Sequence, residues 1–319
     1  MTASQFPNQE NITDLDLTDD CLDRPLSWQR TAFSYVNTTI AFLFSILAVI
    51  PLASLLFEIL RRGAAGLNWD IFVHTPAPVG TGDPTGFINA IVGTMVMVAI
   101  AAIISVPIGI LTGVFLAEFG RGSRLGEFIR FTTVVLSSIP SIIAGVFAYR
   151  IIVRGSISLF GFTIAGFSAL AGGVALGVIM LPIVALTTTE ALKLVPNSYR
   201  LGSAGLGAGR FQTIFRIVIP NALPAITTGI LLAVARAAGE TAPLIFTALS
   251  SQFWADWSSP PDWFNNNPNP SLSVYIYEFS TSSFKEENQL AWTAAVVLVA
   301  LVLVINILAR LITRKRTRS

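Results

Sequence analysis

The feature that most constrains this chain is a series of apolar runs, each near or above the ~20 residues that a helix needs to cross a bilayer. They lie at residues 31–57, 87–117, 131–149, 165–186, 222–250 and 288–309, and only the fifth contains charged residues. Backbone amides in hydrocarbon must bond within their own segment, which favours helices over open sheets. The sequence therefore predicts an all-α, polytopic membrane protein with six transmembrane helices and membrane lipid around it.

Composition supports this class and excludes others. Hydrophobic residues make up 53% of the chain and charged residues 12%, against roughly 25% charged in soluble domains. The net charge of +2 gives no indication of nucleic acid as a partner. Cys21 is the single cysteine and His74 the single histidine, so neither an internal disulfide nor a metal site is expected.

Charge placement predicts the orientation of the spans. With both termini in the cytoplasm, 14 of the 20 Lys and Arg residues fall on the cytoplasmic side, as the positive-inside rule requires. Residues 1–30 are then a polar cytoplasmic tail and residues 314–319 a basic one. Residues 31–86 hold the first transmembrane helix and an outer loop. Further outer segments lie near 154–160 and 252–287.

The last outer segment is rich in aromatic residues, namely Trp254, Trp257 and Trp263. These rings fit an interfacial aromatic belt. They also fit a docking surface for an extracytoplasmic partner, because aromatic residues concentrate at protein interfaces.

Motifs for catalysis or ATP binding are missing from the sequence. No G-x-x-x-x-G-K-[ST] phosphate loop occurs, and the glycine-rich stretch 202–209 runs into Arg210 without the required lysine. The spans hold no catalytic cluster of acids, nucleophile elbow or His/Glu metal pair. The chain is therefore not expected to be an enzyme or to bind a cofactor, and its energy must come from another subunit or an ion gradient.

The fifth run carries Arg236 near its midpoint and Glu240 four residues later, on one face of a helix. An arginine at mid-bilayer costs about 2.5–3.5 kcal/mol on insertion scales, so such residues face protein or a water-filled path. The two charges could neutralise each other for structural reasons alone. They could instead line an anion path, with Arg236 attracting the anion and Glu240 limiting how tightly it is held.

The loop after the fourth run, residues 190–221, has the pattern of a short helix-turn-helix. Gly205, Gly207 and Gly209 interrupt it and Pro220 closes it. It is amphipathic, since Leu206 and Phe211 supply an apolar side and Arg210 a charged one. Such a segment can lie on the membrane surface or insert into a groove on a soluble partner.

This loop resembles the cytoplasmic loop of ABC importer permeases, whose pattern is E-A-A-x3-G-x9-I-x-L-P. Gly207 takes the glycine position, and Ile217, Ile219 and Pro220 take the closing positions at the right spacing. The E-A-A triplet is replaced by residues 201–203, Leu-Gly-Ser. The resemblance implies that the loop couples the permease to an ATPase, through Leu206, Gly207, Arg210, Phe211, Ile217 and Pro220.

Longer stretches are similar to the PstA-type permeases of phosphate-specific ABC transporters. They are "NAIVGTMVMVAI", "SSIPSI", "LVPNSYR", "LAVARAAGETAPLIFTALSSQFW" and "NILAR". The resemblance implies a type I, MetI-like ABC permease domain over residues 87–313, in the plasma (inner) membrane. It also implies three partners: a PstC-type second permease, a dimeric PstB-type cytoplasmic ATPase and an extracytoplasmic phosphate-binding protein.

Other functions remain open on the sequence. The nearest are a permease for another oxyanion, such as molybdate or sulfate, and the PstC-type partner, although "FTALSSQFW" favours the PstA type. A secondary transporter or channel working without ATP would show paired, broken spans in an internal repeat, and no convincing duplication is visible. A membrane enzyme is disfavoured by the missing catalytic residues.

Overall fold

The computed structural model describes residues 28–155, 157–159, 162–255 and 267–316. Within these ranges the regular secondary structure is helical apart from one antiparallel hairpin of β1 (Ile157–Leu159) and β2 (Phe162–Ile164). The hairpin occupies the predicted short outer turn. The predicted all-α class is confirmed with this small exception. Several residues named above lie outside the described ranges: most of the polar tail with Cys21, as well as Trp257 and Trp263.

The chain divides into two units, residues 1–57 and 58–319. Helix α1 (Trp28–Gly63) provides the first unit's described residues and begins inside the predicted polar tail. In the second unit, two short 3-10 turns follow (Ala64–Gly66 and Trp69–Phe72). The Asn68 side chain accepts a hydrogen bond from the Ile71 amide and so caps the second of these turns.

The remaining helices of the second unit are α2 (Ile88–Val114), α3 (Arg124–Ser138), α4 (Ser141–Ala148), α5 (Ala169–Lys193), α6 (Asn197–Gly205), α7 (Arg210–Thr213), α8 (Ile219–Ala238), α9 (Ala242–Thr247), α10 (Leu272–Ser280) and α11 (Lys285–Arg316). Three π-helical turns extend them, at Phe115–Phe119 after α2, at Tyr149–Val153 after α4 and at Ile214–Val218 between α7 and α8.

Five helical stretches in the described residues are long and apolar enough to cross a membrane, and a bent pair brings the number to six. The bent pair is the predicted third span. It is not one helix, because α3 and the α4 stretch meet at 101° around Pro140. Proline cannot donate the backbone hydrogen bond that would continue α3, and its ring disfavours a helical residue before it. Ile139 is accordingly extended.

The predicted fifth span is displaced toward the N-terminus. The apolar helical stretch runs over Arg210–Ala238, not over 222–250. Pro220 therefore does not close the preceding loop, because it lies in the first turn of α8 within this stretch. The helix ends at Gly239, and the remainder of the predicted span continues as the separate short helix α9.

Helices α2 and α5 form the centre of the second unit and pack closely through small residues. A Cβ atom added at Gly113 of α2 would lie 2.6 Å from the Thr188 Cβ, and one at Gly173 of α5 would lie 2.5 Å from the Ile100 Cγ2. Met97 and Leu176 are buried in the core cluster between them. Small residues let helix backbones approach closely in membranes, and Gly173 allows this close approach here.

Candidate substrate path and connecting segment

The predicted charged pair forms, but it lies across a helix end. Arg236 is in the last turn of α8, and Glu240 follows Gly239 outside the helix. The Arg236 Nε and a Glu240 carboxylate oxygen are 3.4 Å apart. The prediction that one continuous helix presents both residues is therefore wrong. A cation in the last turn of a helix is favoured by the helix dipole, so α8 itself stabilises the guanidinium there.

The backbone around Glu240 is fixed by the start of α10. The Ser273 hydroxyl donates to the Glu240 carbonyl oxygen at 2.9 Å, and the Thr241 hydroxyl donates to the Ser273 carbonyl at 3.4 Å. On the other side, Gly145 of α4 packs against the backbone of Pro243 in α9, where a Cβ atom would find no room. The break after α8 is thus held on two sides and keeps Glu240 beside Arg236.

Arg236 borders a cavity of about 200 Å³ between α5 and the bent pair α3–α4. The other described residues that line it are uncharged and largely apolar; Ser137, next to the bend, is the polar one. The Arg236 side chain is 52% exposed and that of Glu240 16%. The guanidinium is therefore accessible, while the carboxylate that compensates it is mostly covered. The sequence "SSIPSI" contains both Pro140, a proline expected to kink the third span, and Ser137, which had not been predicted as a lining residue.

The connecting segment, residues 194–218, joins α5 to α8 and contains the predicted coupling residues except Pro220, which lies in the first turn of α8. Leu206 is 91% exposed and Phe211 68%; Gly207, Arg210 and Pro220 are exposed as well, and Ile217 is half-buried. The structure thus brings most of the predicted set to the surface. Gly207 has a φ of +81°, a conformation that favours glycine. It makes the turn between α6 and α7.

Glu118, at the end of the α2 stretch, holds both halves of this segment, which sequence analysis did not foresee. It is buried, and its carboxylate oxygen lies 2.6 Å from the Arg200 Nη2 of α6. Its backbone carbonyl accepts a hydrogen bond from Arg210 of α7. Ser203 and Thr213 hydroxyls, 2.8 Å apart, join α6 to α7. The sequence feature that could have indicated Glu118 is its position as a single carboxylate directly after a charge-free apolar run.

At the opposite end of α2, Asn89 binds the chain that follows α9. Its side-chain amide donates to the carbonyls of Ser251, Gln252 and Phe253 and lies 3.0 Å from the Tyr275 hydroxyl. Burial raises the pKa of the Tyr275 hydroxyl, so this group stays protonated and donates to the Ser251 carbonyl. The start of the last outer segment is thereby fixed to α2 and α10.

His74 lies near Asp70, with 3.5 Å between the His74 Nδ1 and a carboxylate oxygen. No group of three or more His, Cys, Asp or Glu side chains that could hold a metal ion occurs among the described residues.

Sequence comparison decides the family. Residues 106–318 match the binding-protein-dependent transport system inner membrane component family. The chain belongs to this family. As a member, it is a multi-pass permease subunit that works with other ABC transporter components and is not itself an enzyme; ATP hydrolysis resides in a separate subunit.

Curated relatives of this inner membrane component carry a consistent name. The phosphate transport system permease protein PstA of Haemophilus influenzae is 40% identical over 285 residues, covering 89% of this chain and 94% of that protein. PstA of Yersinia pestis is 40% identical, with 82% and 83% covered. PstA 1 of Mycobacterium tuberculosis is 36% identical, with 92% of each chain covered.

Solved structures confirm the ABC permease fold of this family member. A bacterial alginate ABC transporter in complex with a pentasaccharide-bound periplasmic protein matches with a TM-score of 0.59 at 15% identity, covering 92% of this chain and 99% of that one. The inward-facing MetNI methionine ABC transporter matches with a TM-score of 0.51 at 19% identity, covering 71% and 92%. At these identities the likeness concerns the fold alone.

Proposed function

We propose that this chain is the permease subunit of an ATP-driven importer that moves inorganic phosphate across the plasma membrane. The observation that carries the proposal is the accessible guanidinium of Arg236 beside an otherwise uncharged cavity, in a chain whose relatives are named phosphate transport permeases. An anion needs a positive charge to offset its lost hydration inside a membrane protein, and Arg236 supplies one.

The Glu240 carboxylate makes Arg236 suitable for passage rather than storage. Conduction requires binding that is favourable enough for entry and weak enough for exit. A guanidinium already paired at 3.4 Å with a carboxylate has part of its charge compensated, so it offers a transient site. Ser137 lines the same cavity and adds one polar group to it.

The connecting segment is proposed to bind the dimeric cytoplasmic ATPase of this importer. Leu206, in the turn after α6, and Phe211, in α7, present apolar side chains to solvent. Apolar side chains of short helical segments can insert into a hydrophobic groove of a partner. The proposal assigns the segment and both termini to the cytoplasm. A PstC-type second permease and an extracytoplasmic phosphate-binding protein complete the proposed complex.

A permease for molybdate or sulfate is the second candidate, because a compensated arginine can pass any oxyanion.

The test reconstitutes the complete complex in proteoliposomes with ATP on the side of the connecting segment. We expect uptake of labelled phosphate that requires ATP and the binding protein and that excess sulfate or molybdate leaves intact. Preferential molybdate or sulfate uptake would favour the second candidate. Phosphate movement by this chain alone, with no ATPase present, would overturn the ATP-driven mechanism.

A further inference from the structure

We propose that Glu118 is a positioning residue that ties the connecting segment to α2, so that movement of the segment by the ATPase reaches the transmembrane core. The inference rests on the proposed function as an ATPase-coupled permease and adds a residue that lies outside the loop itself. Glu118 is separated from Arg200 and Arg210 by more than eighty residues, yet it contacts both.

The contact with α6 is a mostly buried ion pair. Glu118 is 8% exposed and the Arg200 side chain 18%. Arg200 also donates to the Leu192 carbonyl at 3.0 Å and the Val195 carbonyl at 2.7 Å. One guanidinium therefore joins the ends of α2 and α5 to α6. Because an unpaired charge left in such a site is strongly unfavourable, the three elements are held in one arrangement.

The contact with α7 uses the backbone of the same residue. The last carbonyls of a helix lack partners within it, and the Glu118 carbonyl is in that position at the end of the π-helical turn. Arg210 donates to it and lies over the Phe119 ring, 5.0 Å from its centroid. The Phe119 ring is also 5.2 Å from that of Phe211. The Phe119 ring therefore links the exposed Phe211 to the end of the α2 stretch.

These contacts provide a direct mechanical link. α6 and α7 are joined to each other through Ser203 and Thr213, and both are joined to Glu118. A displacement applied at the exposed side chains of Leu206 or Phe211 therefore moves the end of α2 as well as α8. α2 in turn packs along α5, which lines the cavity beside Arg236.

The test compares E118Q, R200Q and the double variant in the reconstituted complex. The readouts are ATPase co-purification and the amount of phosphate imported per ATP hydrolysed. We expect each single variant to retain the ATPase and to lower the phosphate-to-ATP ratio on the order of 10-fold, with the double variant no worse than either single one. Partners in one network give such non-additive losses.

E127Q is the matched control, since it removes an exposed carboxylate in the first turn of α3; we expect it to keep the wild-type ratio. If E118Q has the same phosphate-to-ATP ratio as wild type and E127Q, the positioning role is overturned while the proposed function stands. Additive losses in the double variant would also overturn it. A single variant that imports less phosphate at an unchanged phosphate-to-ATP ratio would show a merely structural role, against the proposal.

Discussion

Arg236 illustrates how much a single residue in an apolar stretch reveals. Its charge within a predicted span was sufficient to predict a partner, because an isolated guanidinium there is costly, and Glu240 is that partner. The sequence could not show that α8 ends between them at Ala238. It also could not show that the arginine, rather than the carboxylate, is the more exposed of the two.

Replacing Arg236 with Gln should abolish phosphate uptake by the reconstituted complex while the variant still inserts and assembles, since the change removes a charge that is costly in a membrane. Arg236→Lys should retain part of the activity, because it keeps the charge but loses the planar donor arrangement. Initial rates of labelled phosphate uptake measure the effect, which we expect to exceed about 10-fold for Gln, as for a lost charged contact of ~1.4 kcal/mol or more.

Arg154→Gln is the control for this pair of variants, since it removes an exposed arginine at the end of the α4 stretch and should leave uptake unchanged. Wild-type uptake by Arg236→Gln would show that the arginine does not line the path.

At the scale of elements, the uninterrupted apolar runs and the bend at Pro140 were predictable, whereas the position of the helix end within the fifth run was not. α2, α5 and α11 coincide broadly with predicted spans because hydropathy averaged over about 20 residues identifies such helices well. That average does not register the helix end at Gly239. Pro220 was expected to close the loop before the fifth span, but it lies inside a continuous helical stretch. It follows the π-helical turn Ile214–Val218, whose wider backbone accommodates a proline that would otherwise disrupt the helix.

The site at the end of α2 was missed for a related reason. Glu118 and Arg200 are 82 positions apart, and the pairing depends on how the helices pack rather than on any local pattern. The surface members of the connecting segment could be predicted, because Leu206 and Phe211 follow from amphipathicity and Gly207 from a motif position.

The turn between α6 and α7 allows a test at this scale. Gly207→Val should uncouple or release the ATPase, because a β-branched residue is strained at a φ of +81° by roughly 1–2 kcal/mol, and the turn should change conformation. Gly122→Val is matched in strain, since Gly122 has a φ of +72° with open space around it, but it lies in the turn between α2 and α3.

The measurement is ATPase co-purification together with phosphate-stimulated ATP hydrolysis. The Gly122 variant should retain both. Equal behaviour of the two variants would contradict a specific role for the turn at Gly207.

At the scale of the whole second unit, the two ends of α2 make long-range contacts with different segments. Glu118 at one end meets α6 and α7, whereas Asn89 at the other end meets residues 251–253 and α10. This agrees with a connecting segment and a last outer segment on opposite faces. Arg61 and Arg62, two arginines on the predicted outer side, both pair with Glu58.

Cysteine labelling tests the predicted orientation. In intact cells a membrane-impermeant maleimide should not modify Cys21, because the polar tail is predicted to be cytoplasmic, and should do so after permeabilisation. An Asp83→Cys substitution in a Cys21→Ser background should react in intact cells, since Asp83 is exposed in the predicted first outer loop. Reaction of Cys21 in intact cells would reverse the assigned topology.

The helical stretch Arg210–Ala238 has the proposed ATPase contact at one end and the anion-attracting arginine at the other. At 1.5 Å per residue it is about 43 Å long, and one helical stretch joins Phe211 to Arg236. The position of Arg236 around the helix relative to Phe211 is therefore as important as the identities of the two residues. One extra residue inserted in its middle would rotate Arg236 by about 100° relative to Phe211, turning the guanidinium away from the cavity while every original side chain remained present.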